Sequence, residues 1–230
     1  MTFKKLILPL LSLIFLGLLS CEKDDRDKAT FQLEFEPRTS NFVLNNAPAN
    51  SLEFTSGQII LESVEFETSS DTDTLEMEFE IDAFITVDFA TGATNPDLSA
   101  IEIRPGRYTE IEIEIELWDQ SDQPSIVLDG TWTDAEASSH PVKFMFYSGQ
   151  DFSLEIEGDF TVEVNTTMIA QIKLDPAVWF SGVPPHLFAS AAFDNNGVIV
   201  ISPDMNTGIY DMVENMIDLV SEVEITMENL

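Results

Sequence analysis

Cysteine is nearly absent from this sequence, and positive charge is scarce. One Cys in 230 residues excludes an intrachain disulfide framework and any metal site built from several thiolates. Two His are too few for a His-rich zinc centre. Ten Lys and Arg stand against 42 Asp and Glu, a formal charge of −32, and two of the ten, Lys4 and Lys5, lie in the first 20 residues. So few cations cannot assemble a basic face, which excludes a nucleic-acid binder working by phosphate neutralisation and a protein held on anionic lipid by charge. No Gly-x-Ser-x-Gly elbow and no His-Glu-x-x-His helix occurs. With 42 acids, no carboxylate pair stands out as a glycosidase couple. No residue is therefore assigned a catalytic role, and the expected protein is not an enzyme. Apolar residues are plentiful by contrast. They make up 44% of the chain and include 17 Phe, enough to fill a core and unlike a disordered acidic tail.

The first 21 residues read MTFKKLILPLLSLIFLGLLSC. Lys4 and Lys5 precede an apolar run, Leu6 to Leu19, that is too short to span a bilayer about 30 Å thick at about 1.5 Å per helical residue. It fits the h-region of a secretory leader. Leu18-Leu19-Ser20-Cys21 resembles a bacterial lipobox, and the resemblance implies cleavage before Cys21 and acylation, palmitate included, of that Cys. Each buried CH₂ of an acyl chain contributes about 0.8 kcal/mol, so several chains anchor stably. Lys23, Asp24 and Asp25 then resemble the export signal of surface lipoproteins in Bacteroidota. The expected organisation is a signal peptide over 1–20, a tether over 21–29 and one domain over 30–230. The expected place is the outer membrane, facing the exterior, with membrane contact through the lipid alone. Asp73-Thr74-Leu75 resembles an O-glycosylation site of the same bacteria, with Thr74 as acceptor.

From Thr30 the hydrophobic period is two. Phe31-Gln-Leu-Glu-Phe-Glu, Val64-Glu-Phe-Glu, Leu75-Glu-Met-Glu-Phe-Glu-Ile-Asp-Ala and Ile111-Glu-Ile-Glu-Ile-Glu-Leu alternate strictly. Such runs predict strands with one buried and one wet face. Further apolar, β-rich segments lie at 84–89, 125–133, 142–147, 152–157, 160–164 and 167–174, with Gly and Pro between them. The spacing predicts an all-β fold, an antiparallel β-sandwich of Ig-like or transthyretin-like type. Asp175 and Pro176 predict the start of a helical turn, as N-cap and first residue. Ile209, Met212, Val213, Met216, Ile217 and Val220 form one apolar stripe, predicting an amphipathic C-terminal helix over about 205–220.

Arg104-Pro105-Gly106-Arg107-Tyr108-Thr109, with Gly57-Gln-Ile-Ile-Leu before it and Leu174-Asp175 to Trp179-Phe180 after it, resembles a group of bacterial β-sandwich lipoproteins of unknown function. A related resemblance is to copper-associated MbnP-like lipoproteins. Where those carry a His-Leu-Gly element this chain has Tyr147-Ser148-Gly149, so that copper ligand is missing.

Glu76, Glu78, Glu80 and Asp82 share one strand face, and Glu110, Glu112, Glu114 and Glu116 share another. Glu is depleted in strands, and like charges facing across a pair destabilise a sheet. A solvated, salt-screened face accounts for them. The sharper alternative is a hard-cation site, Ca²⁺ before copper, with Asp71, Asp73, Asp119, Asp122 and Asp194 as oxygen donors. Asp194-Asn-Asn-Gly also reads as a turn. Met205, Met212 and Met216 are expected in the core rather than on Cu(I). His140 and His186 fall in loop contexts. Trp118, Trp132 and Trp179 are the residues that would stack on sugar, with Trp132 and Trp179 expected to be core. The expected function is a non-catalytic surface lipoprotein with a binding or structural role toward a glycan or protein. A cation-binding protein and a fimbrillin-like subunit cut near Arg38 are the alternatives.

Overall fold

Alternation becomes strand in the computed structural model, which describes residues 28–44, 50–70, 77–98, 101–119, 122–147, 149–217 and 223–229. In chain order the strands are β1 (Ala29–Pro37), β2 (Phe42–Val43), β3 (Ser51–Ser69), β4 (Met77–Asp88), β5 (Thr94–Asn95), β6 (Ile101–Ile103) and β7 (Gly106–Leu117). They continue as β8 (Ile126–Thr133), β9 (Ser139–Phe146), β10 (Asp151–Val162), β11 (Thr166–Leu174), β12 (Ile199–Ile201) and β13 (Val223–Asn229). Three short helices, α1 (Pro176–Trp179), α2 (Pro185–Ala189) and α3 (Thr207–Glu214), lie between β11 and β13. The fold is β-rich, as the period predicts.

Two mixed sheets hold these strands. The smaller has the order β13-β11-β1-β6, and the larger runs β10-β7-β3-β8-β9-β12 with β2, β4 and β5 attached. The expectation of purely antiparallel sheets is corrected. β1 pairs with β11 in parallel, from Thr30 beside Thr167 to Pro37 beside Leu174, and β12 pairs with β9 in parallel. Parallel neighbours need a long crossover rather than a tight turn, and here the crossover from β1 to β11 is most of the large sheet.

The large sheet is built on β3, which is long enough to take partners in succession. One edge takes β8 along its first half and β7 along its second. Ile60 marks the changeover, its N–H donating to Ser125 O at 2.7 Å and its carbonyl accepting from Trp118 N at 3.1 Å. Gly57 stands just before it at φ +154°, where a Cβ would come within 2.2 Å of Val127 O, so the close approach of β8 requires glycine. Beyond β7 and β8 the pattern repeats with β10 and β9. The sheet thus has two halves. The half holding Phe66 faces the small sheet, and Phe31 of β1 stacks on Phe66 with centroids 4.0 Å apart. The half holding Phe54 and Phe144 faces the helices, with Phe180 against both. Buried side chains of both sheets and all three helices form one cluster.

Local chemistry fixes the helical segment. Asp175 accepts from Ala177 N at 2.8 Å, with Pro176 opening α1. It also holds Arg38 at 2.9 Å, tying α1 to the end of β1. Replacing Asp175 with Ala removes both contacts, and an expected loss of about 0.5–2 kcal/mol is checked by urea denaturation. The C-terminal helix is shorter than the expected 205–220. It ends at Glu214, and the Asn215 side chain donates back to Asp211 O at 2.5 Å. Ile209, Val213 and Ile217 are buried, Met212 is half-buried, and Met216 lies at the surface, which corrects its placement in the core. The chain then returns as β13, because Val223-Glu-Ile-Thr-Met-Glu alternates with β-branched residues that suit a strand.

Candidate functional site

The carboxylate faces seen in the sequence, apart from Glu76, which lies outside the described residues, belong to one surface. β4, β3, β7 and β10 lie side by side, and their register lines acids up across the strands. Glu78, Glu67, Glu112 and Glu155 form one rung. Glu80, Glu65, Glu114 and Ser153 form the next. Asp82, Ser63, Glu116 and Asp151 form a third. Serine stands where the rungs are not filled by acid. Ser63 Oγ donates to Glu116 at 3.2 Å, and Ser153 Oγ to Glu112 at 3.0 Å. These four strands carry one cation, Arg107 at the start of β7, and it holds Asp159 at 2.6 Å.

Crowding changes the acid–base chemistry of this face. Partial desolvation, followed by repulsion from Glu80 and Glu114, raises the carboxyl of Glu65 above its ordinary range. Desolvation and then Glu155 and Glu112 raise Glu110 in the same way. Desolvation also raises Glu116, against the hydrogen bond from Ser63, with Glu62 and Asp151 adding to the rise. At the end of the field Phe84, 48% exposed, packs against Trp118 with ring centroids 5.1 Å apart, and the Trp118 indole N–H is buried without an acceptor among the described residues.

Among the described residues, the candidate cation ligands Asp119, Asp122 and Asp194 are not gathered into one site. Asp119 leaves β7 packed against Gly149, Asp122 is exposed in the passage to β8, and Asp194 lies in the loop before β12. Asp194 acts as a turn residue. Its Oδ1 accepts from Asn196 N and Val198 N at 2.8 Å each, and these donors hold its carboxyl below the usual range, the Val198 bond foremost. No three carboxylate, imidazole or thiolate groups converge to hold a metal among the described residues. Cys21, Lys23, Asp24, Asp25, Asp71, Asp73 and Thr74 lie outside the described residues. Tyr108 begins the inward face of β7, fully buried, its hydroxyl donating to Arg104 O.

His186 is exposed on α2, whereas His140, read as a loop residue, is a strand residue of β9 opposite Trp132. Trp132 and Trp179 are buried as expected. The pairing of His140 with Trp132 follows from a hairpin tip centred on Glu136, a signal present in the sequence at Asp134-Ala-Glu-Ala-Ser and missed there. Comparison of the chain with protein-family models, curated proteins and solved structures finds no match.

Proposed function

We propose that the protein is a non-catalytic lipoprotein of the outer-membrane surface, held by acylated Cys21, with a binding or structural role. One observation carries the anchor: the single Cys of the chain stands at the end of Leu18-Leu19-Ser20, followed by Lys23-Asp24-Asp25. The composition agrees with it, since acylation removes the lone thiol and the remaining charge is strongly acidic. The architecture proposed with it is an Ig-like sandwich of the two sheets with a helical insertion, supported by the stacking of Phe31 on Phe66 between them. The uncovered acid rungs of β4, β3, β7 and β10 give such a protein a solvated outer face that resists self-association.

Metabolic labelling with an alkyne palmitate analogue tests the anchor. The wild-type chain is expected to take the label and sediment with membranes. Cys21→Ser is expected to lose the label entirely and remain uncleaved. Labelling that survives Cys21→Ser would overturn the anchor.

A further inference from the structure

We propose that His140, Phe193 and Asp134 form a subsite for an uncharged sugar ring, at the tip of the β8–β9 hairpin and apart from the acid face. The inference gives the binding role a place and a ligand class, and so rests on that role, but it does not depend on the anchor.

The site is built around an oriented imidazole. His140 and Trp132 face each other directly across the hairpin, with ring centroids 5.0 Å apart and planes 27° apart. Trp132 is itself backed by Phe188 of α2 at 5.7 Å, which fixes the stack from below. Asp134 in the turn faces His140 Nε2 with Oδ2 at 3.0 Å, while its Oδ1 accepts from Glu136 N at 3.0 Å and Ser138 N at 2.8 Å. An ionised carboxylate only accepts, so Nε2 carries a hydrogen, and an imidazole in that tautomer has its lone pair on Nδ1. No hydrogen bond reaches Nδ1 among the described residues, and the imidazole is partly open to solvent, with 27% of the side chain accessible. The buried indole N–H of Trp132 in the same stack also finds no acceptor among the described residues.

Beside this acceptor stands an apolar ring that the fold keeps out of its core. Phe193 is 50% exposed and lies 5.8 Å from His140, tilted by 51°. Its loop is clamped on both sides. Ala192 N donates to Asn206 Oδ1 at 2.8 Å and Ala192 O accepts from Asn206 Nδ2 at 3.0 Å. On the other side the Asp194 turn closes the backbone from Asn196 to Val198. Phe193 therefore cannot turn inward without breaking these bonds.

An exposed ring next to one hydrogen-bond acceptor matches a pyranose. The C–H face of the sugar covers Phe193, and an edge hydroxyl donates to His140 Nδ1. A lipid tail would need a groove of apolar side chains rather than one ring. A flat apolar ligand would leave Nδ1 unpaired. The chain's charge of −32 repels uronate and sialylated glycans and favours uncharged ones.

The test is binding of the purified protein to an array of immobilised uncharged oligosaccharides ending in hexose or N-acetylhexosamine, with sialylated and uronate glycans alongside. Wild type is expected to retain at least one uncharged class. Phe193→Ala is expected to weaken retention on the order of tenfold. His140→Phe keeps a ring on Trp132 but removes Nδ1, and is expected to weaken it comparably. Unchanged melting curves for both variants confirm that the fold is intact. No uncharged glycan retained, or retention by both variants equal to wild type, overturns the proposal. In the second case the binding role stands and only this site fails.

Discussion

Replacing Phe180 with Ala is expected to lower the unfolding free energy by about 3–5 kcal/mol, the range for truncating a buried aromatic. Phe180 is fully buried at the C-terminus of α1. Its ring meets Phe54 of β3 at 5.3 Å, Phe144 of β9 at 5.4 Å and Phe188 of α2 at 6.4 Å. It thus joins the helical segment to the half of the large sheet that holds Phe54 and Phe144, beside the contact of Phe188 with Trp132. Removing it leaves a cavity between elements from three places in the chain, which cannot all move in to fill it. At about 2–4 °C per kcal/mol for a chain of this size, the midpoint of a thermal melt should fall by about 6–20 °C. Phe193→Ala, which empties no core, should stay within about 0.5 kcal/mol of wild type. A loss below about 1 kcal/mol for Phe180→Ala would mean that the helices do not share the sheet's core.

The acid rungs should make the protein more stable in mildly acidic solution than at neutral pH. Glu65, Glu110 and Glu116 are raised above their ordinary range in the folded state. The folded chain then binds more protons than the unfolded one, and stability falls as pH rises through the folded values. The penalty is relieved as pH falls toward the ordinary glutamate range near about 4.3. Asp134 and Asp194 work in the opposite sense. The hydrogen bond with His140 and the Ser138 N–H lower the first, and turn N–H donors lower the second, so their contribution is lost as pH falls through those lower values. The melting midpoint is therefore expected to rise from pH 8 toward pH 5 and fall again below about pH 4, and scanning calorimetry at low ionic strength checks it. Glu112→Gln offers a local version. Glu112 faces Glu67 on one side and Glu155 on the other. Its Oε1 accepts from Ser153, and an amide oxygen can do the same. Each like-charged pair costs about 0.2–1 kcal/mol, so the variant should be the more stable by an amount of that order. At about 1 M salt, where screening acts within about 3 Å, the gain should shrink. A midpoint that falls steadily from pH 8 to pH 5 would mean that the rungs do not repel in the folded state.

Much of this fold is written in the period of the sequence. Ile111 to Leu117 alternates without interruption, and it is strand over its full length with its isoleucines buried. Asp175-Pro176 likewise names its own helix start. What the sequence does not show is which strands are neighbours. Nothing local to Phe31-Gln-Leu-Glu-Phe indicates that it lies parallel to Met168-Ile-Ala-Gln-Ile, since alternation reports a face and not a partner. The acid faces were visible one strand at a time, but the rungs exist only once the register is known. The same holds for the proposed sugar site. Trp132 and His140 can be paired by counting outward from the hairpin tip, whereas Phe193 arrives from a loop whose position depends on Asn206. The C-terminal strand was missed for another reason. The helical stripe before it runs apolar as far as Val220, and it hides the change to period two at Val223.

β1 also constrains the order in which the protein can be assembled. It is an interior strand, flanked by β6 on one side and β11 on the other. Its last contact, Arg38 with Asp175, joins residues 137 positions apart. Pairings this distant carry a large entropic cost before any bond rewards them, and they slow folding. On a chain that emerges N-terminus first, β1 is made early and must wait, with both edges open, until Leu174 has followed. Its first neighbour in time is the three-residue β6, too short to hold it alone. The hairpin of β8 and β9 needs no such delay. The small sheet is therefore the last part of the molecule to close, and the open edges of β1 are where a stalled chain is most exposed to pairing with another.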